Sequence, residues 1–168
     1  MSDRQLNDLW FSWLRVQPSI AIEQGWAWSH QLSAPVMAGA DELVRMETDE
    51  RPVVLFAIDV TTDGTRGVLI TMFAGGRIDL SAPMPGFPMN EERPRASPWV
   101  DISDNGFLAV QGGEIASLRI DEAGHTRVTP QWILRPSQLY YMTITNLDNQ
   151  TAQIEVAIEA YSIGSMLR

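Results

Sequence analysis

Four groups of residues in this chain are of types that do chemistry. Glu155 and Glu159 lie four residues apart in an alternating segment. Paired carboxylates hydrolyse glycosides. On a strand, that spacing sets them about 13 Å apart, beyond the roughly 5–5.5 Å or 6.5–9.5 Å that such pairs use. Asp101-x-Ser103-x-Asn105-Gly106 mimics the start of a calcium loop. Its twelfth position is Gly112, where a bidentate Glu is required. Trp26-x-Trp28-x-His30 is a stripe suited to stacking on sugar rings, although core or subunit contact is the simpler reading. Glu91-Glu92 sits in a Pro-rich stretch from which it could approach another carboxylate, a pairing that sequence alone does not show. No Ser occupies a G-x-S-x-G elbow, and neither H-E-x-x-H nor a P-loop occurs. These acids therefore read as solvated charge. His30 reads as a satisfied structural histidine and His125, in Ala123-Gly124-His125-Thr126, as an exposed turn residue. No catalytic, cofactor or metal site is expected, and the chain is not expected to be an enzyme.

The elements that carry these residues are strands. From Tyr140 to Asn146 and from Ala152 to Tyr161, apolar and polar residues alternate with period two. Tyr140, Met142 and Ile144 share one face. Ile154, Val156, Ile158 and Ala160 share a face of the return strand, with Thr143, Thr145, Glu155 and Glu159 pointing away. The pattern predicts a half-buried hairpin closed at Asn149-Gln150-Thr151. Val53–Val60 is a strand rich in β-formers, followed by Asp63-Gly64 and a partner over Gly67–Phe73. Trp99–Asp104, Asn105-Gly106 and Phe107–Gln111 form a further hairpin signal, because Asn-Gly accepts the positive φ of a type I′ turn. From Ile20 the chain also reads as extended, with Trp26, Trp28 and His30 on one face.

Two segments depart from this pattern. In residues 2–16, Leu6, Leu9, Trp10, Trp13 and Leu14 form one helical stripe that Pro18 stops. Residues 81–98 hold five of the ten prolines. Proline lacks a ladder donor, so this is a long loop. Met84, Phe87 and Met89 give it apolar contacts to make, which favours an ordered interaction element. The expected fold is all-β: a β-sandwich or jelly roll of about eight to ten strands with a short N-terminal helix. Residues 1–18 form a helical arm and 19–168 a single domain.

Composition narrows the function. The 168 residues include no Cys and two His, which excludes disulfide scaffolds, thiolate zinc sites and thiol nucleophiles. All twelve basic residues are Arg, so no lysine Schiff base or P-loop lysine is available. A net charge of −9 opposes binding to nucleic acid or to anionic membranes. Met1-Ser2-Asp3-Arg4 lacks the basic region and apolar stretch that open a signal peptide.

The closing segment resembles that of small β-sandwich virion structural proteins of tailed bacteriophages. The likeness lies in Leu134-Arg135-Pro136, Tyr140 or Tyr141, Ile144 before Thr145-Asn146, and Glu159-Ala160-Tyr161. Asn90-Glu91-Glu92-Arg93 is similar to an Asn-x-x-Arg stretch in that family's mid-chain loop. The order of parts matches over roughly residues 42–162, while the Trp-x-Trp-x-His segment and the N-terminal helix have no counterpart. The resemblance implies a non-enzymatic capsid decoration or cement-like protein that stabilises or bridges shell subunits. It implies oligomeric subunits, capsid or other virion proteins as partners, and location in a virion assembled in the host cytoplasm. Trp10, Trp13, Met84, Phe87, Met89 and Arg93 are the expected partner-binding residues. The alternatives are a carbohydrate-binding β-sandwich module using Trp26, Trp28 or Trp99, and a tail or head–tail accessory protein.

Overall fold

Strands that alternate apolar and polar residues must bury one face, and here two sheets bury theirs against each other. The computed structural model describes residues 18–162. A short helix, α1 (Pro18–Glu23), leads into β1 (Ala27–Val36), β2 (Asp41–Thr48), β3 (Val53–Thr62) and β4 (Val68–Ala74). Four short elements follow: β5 (Arg77–Asp79), β6 (Ala82–Pro83), β7 (Gly86–Pro88) and β8 (Trp99–Asp104). The chain continues through β9 (Phe107–Val110), β10 (Gly113–Ile120), β11 (Gly124–Val128) and β12 (Trp132–Leu134). It closes with β13 (Leu139–Asn146) and β14 (Ala152–Ser162). The first sheet runs β11-β3-β14-β1-β7, with β12 also on β3. The second runs β10-β4-β13-β2-β8-β6, and β5 and β9 form a separate ribbon. Taking only β1–β4, β10, β11, β13 and β14, successive strands alternate between sheets except at β4 and β10, which pair within the second, and this is the order of an eight-stranded jelly roll.

That alternation corrects three expected pairings. β13 lies in the second sheet between β2 and β4, whereas β14 lies in the first between β1 and β3. The closing segment is therefore an arch between sheets, not a hairpin. β3 and β4 likewise lie in different sheets, and β8 pairs with β2 and β6 while β9 pairs with β5. The physical reason is common to all three. Period-two alternation fixes which face of a strand is buried, and that face is the same whether the chain turns back or crosses over. Asn105 does take positive φ, 53°, but it joins two separate pairings.

The face assignment itself holds. Met142, Ile144, Ile154, Val156 and Ile158 meet in one core with Met46, Leu55, Ile70 and Leu134. Asn146 pins the closing arch from inside: its Nδ2 donates to Val36 O and Gln150 O, each at 2.8 Å. Two outward residues are exceptions. Thr143 is buried among its neighbours on the second sheet, and Glu159 is only 8% exposed.

A second, smaller core lies on the outer face of the first sheet. A bulge opposite Glu159 and Ala160 places Phe56 and Ala57 together on that face. They pack with Val54, Tyr161, Ala21 and Ala27, against Ile22, Trp26, Met89 and Ile133. Helix α1 covers this patch, which corrects the reading of residues 20–26 as extended. Pro18 is the first described residue of this helix, where its fixed φ and missing N–H suit a first turn; the helix expected over residues 2–16 lies outside the described residues. Gly25, at φ +77°, ends it: Gly25 N bonds Ile22 O and Trp26 N bonds Ala21 O, a Schellman closure. A Cβ on Gly25 would lie 1.5 Å from the Arg93 carbonyl oxygen.

Residues 81–98 are thus a strap rather than a free loop. β6 joins the second sheet and β7 the first. Beyond β7, Asn90 Nδ2 donates to Glu23 O, Arg95 Nε to Gln24 O and Trp28 Nε1 to Arg95 O. The strap so clamps the end of α1 onto β1.

Candidate functional site

The outer face of the first sheet changes character at the bulge. Beyond the second core it carries polar side chains between short and apolar ones and forms a groove of about 610 Å³. Strand register builds it in rows. Gln31, Ala157, Asp59 and Arg127 line up across β1, β14, β3 and β11. Ser33, Glu155, Thr61 and His125 form the next row. Ala157 and Ser33 have short side chains, so the floor is low, while Pro85 and Asp104 form one wall.

Electrostatically the groove is organised around one cation. Arg127 bonds Asp59 and spans to Glu159, with Nη1 at 3.2 Å from Oε1. The hydrogen bond to Glu159, against opposing desolvation, holds the guanidinium above even its usual high range. His125 bridges the same cluster, its Nδ1 3.2 Å from Thr61 Oγ1 and its Nε2 3.4 Å from Asp59 Oδ1. No side chain among the described residues hydrogen-bonds the Glu155 carboxylate.

The second surface is apolar. The β5–β9 ribbon lies beside Tyr141, whose hydroxyl accepts from Gly112 N at 3.0 Å. Ile78 is buried beneath the ribbon, but Leu80, beside β5, is 88% exposed and Phe107 65%. Phe107 pairs with Asp79 and Val110 with Arg77. Val110 and Ile115, the latter on the bulge of β10, are also exposed. Leu80 adopts φ +58°, a conformation that L side chains rarely take.

The expected site residues are scattered over this framework. Trp10 and Trp13 lie outside the described residues. Met84 is buried in the main core and Met89 packs on the second one. Arg93 is exposed at the surface, with its carbonyl against Gly25. Phe87 is 53% exposed on β7. Trp99 is buried, Trp26 packs on the second core beneath the Arg95 guanidinium, and Trp28 stacks on His30. No shared open Trp platform results. Asp101 pairs with Arg45, Ser103 is buried and Asn105 bonds Asp104, so the calcium-like stretch does not converge. Among the described residues, no cluster of three or more His, Asp or Glu is placed to hold a metal ion.

Sequence reading missed the groove. His125 and Arg127 lie on one face of β11, and their alternation with Thr126 and Val128 was the available signal. Nothing local announced that β11 sits beside β3, since that pairing spans some sixty residues.

No protein-family model matches the chain, and no curated protein matches it. Three solved structures are similar in outline. The mitogen of Yersinia pseudotuberculosis is 8% identical over 77% of this chain and 83% of that one, with a TM-score of 0.40. PirA is 15% identical over 80% and 93%, with a TM-score of 0.32. A CBM4 structure is 8% identical over 82% and 95%, with a TM-score of 0.28. Likenesses this distant carry no functional argument.

Proposed function

We propose that this protein is a non-enzymatic virion structural protein of the capsid-decoration type, which binds and bridges shell subunits. The observation that carries the reading is the exposed apolar ribbon. Phe107 and Val110 stand exposed on the ribbon, and exposed Leu80 follows β5 directly. Several large apolar side chains exposed on and beside one short ribbon, with Arg77 and Asp79 paired across from Val110 and Phe107, suit contact with a partner. Leu80 adds weight, because an apolar side chain held at positive φ and in water costs stability that no burial of its own offsets. A protein that binds only the assembled shell stabilises it by mass action. The net charge of −9 keeps it off the packaged genome. The same ribbon serves self-association into a homo-oligomer.

The test is co-sedimentation with assembled shells. Leu80→Asn keeps a residue tolerant of positive φ, so the isolated chain should be as stable as before or firmer by up to about 1 kcal/mol. Phe107→Asp should also leave the melt nearly unchanged. Both variants should lose shell binding. Retained binding by both would remove the ribbon from the interface and with it the support for this reading.

A further inference from the structure

We propose that the polar groove on the outer face of β1, β14, β3 and β11 binds a short uncharged glycan. This inference is independent of the decoration role, since none of Leu80, Phe107, Val110 and Ile115 lines the groove. Three observations carry it.

The first is shape. The groove's volume, about 610 Å³, falls in the range of small-ligand sites, roughly 300–1,000 Å³. Its floor is low because Ala157 and Ser33 occupy the middle strands, and its length follows the strand rows.

The second is the polar lining. Glu155 offers a carboxylate with no hydrogen-bond partner among the described residues. Gln31 offers both a donor and an acceptor, and the Thr61 hydroxyl, which already shares one hydrogen bond with His125, keeps capacity for another. Mixed donors and acceptors at strand spacing suit hydroxyl groups, which donate and accept at once. Asp59, Asp104 and Glu155 outnumber the single guanidinium of Arg127, which is already bonded to Asp59 and Glu159. Phosphates, sulfates and other anions are therefore disfavoured.

The third is an aromatic at the end of the groove. Gln31 N donates to Pro85 O, and two residues further Phe87 pairs with Ser29. Residues i and i+2 of an extended segment share a face, so Phe87 points to the same side as Pro85 and Gln31. Its exposed ring offers the apolar face of a pyranose a surface to stack on. Phe87 packs in neither core, so its exposure does not serve the fold.

The experiment is titration of the full-length protein with soluble neutral tetrasaccharides of β-glucan, α-glucan, mannan and chitin, followed by backbone NMR and calorimetry at low and high salt. At least one should bind, with shifts confined to the groove strands and β7, and with affinity insensitive to salt. Phe87→Ala and Glu155→Ala should each weaken binding about tenfold. Ala157→Leu, which raises the floor, should abolish it. All three positions lie on the outer face, and unchanged melts will show that the variants fold. No binding by any of the four glycans overturns the proposal. So does binding that the three variants leave intact. So does a preference for an oligolysine peptide that vanishes at high salt, which would make the groove a docking site for basic chains.

Discussion

Replacing Ile158 by alanine is expected to destabilise the fold by about 2–5 kcal/mol. Ile158 is fully buried on β14, flanked in register by His30 and Ile58. Its side chain belongs to the core where the two sheets meet, with Met142 and Ile144 from the opposite layer. A cavity there is bounded by strands of both sheets and cannot collapse without moving them. Glu155→Gln, on the exposed face of the same strand, should change stability by no more than about 0.5 kcal/mol. Glu159→Gln is a different case, although it shares that face. Glu159 is buried beside the bulge and bonded to Arg127. Losing a charged hydrogen bond costs about 1.5–3 kcal/mol in a buried site. Because Arg127 remains half exposed, about 1–2 kcal/mol is expected after screening. Denaturant melts of the three variants decide the order. A mild Ile158 variant beside a costly Glu155 variant would invert the faces.

The second large effect is a loss of stability in mild acid. His30 is 3% exposed at the edge of the core, and its Nδ1 has no hydrogen-bond partner among the described residues, which corrects the expectation of a satisfied histidine. Trp28 stacks on one side at 6.0 Å. Gly86 leaves so little room on the other that a Cβ there would stand 2.3 Å from His30 Nε2. Burial therefore pushes the imidazole pKa down from 6.5 to about 4. The unfolded chain takes up this proton as pH falls through 6.5, while the native chain resists until about pH 4. Stability is fully present above 6.5, declines between those values and reaches its full loss below about 4. The shift corresponds to about 3 kcal/mol. Carboxylates also titrate in the lower part of this window, so the comparison is with His30→Gln, which takes up no proton. Melts across the range should show a steeper acid decline for the parent than for the variant. Parallel profiles would mean that His30 protonates without cost.

These two results bear on how much the residues disclosed by themselves. The faces of β13 and β14 were legible because Met142, Ile144, Ile154, Val156 and Ile158 keep period two without interruption. The all-β class followed from the same pattern repeated along the chain. Their neighbours were not legible, because a strand's inner face looks the same in a hairpin and in an arch. Helix α1 was hidden by Pro18, which ends one helix as readily as it begins another. Its true signal was Gly25, two residues past Glu23, where positive φ closes the turn. The strap over residues 81–98 was recognised as ordered. Its attachment to the first sheet and to α1 depended on Gly25 and Trp28, far away in sequence. The groove was the least accessible feature. It requires Gln31, Asp59, His125 and Glu155 to meet, and only the jelly-roll strand order brings β1, β3, β11 and β14 together. The apolar ribbon was half visible, since Phe107 and Val110 were assigned to a strand but not to an exposed one.

The most direct measurement of the proposed decoration role is a high-resolution density map of the particle to which that proposal assigns this protein. The account predicts a jelly-roll density on the outside of the shell, at fixed sites between subunits. The β5–β9 ribbon should face inward, with Leu80 and Phe107 against the shell. Density with that ribbon pointing to solvent, or purified particles that contain no copy of the protein, would contradict the account.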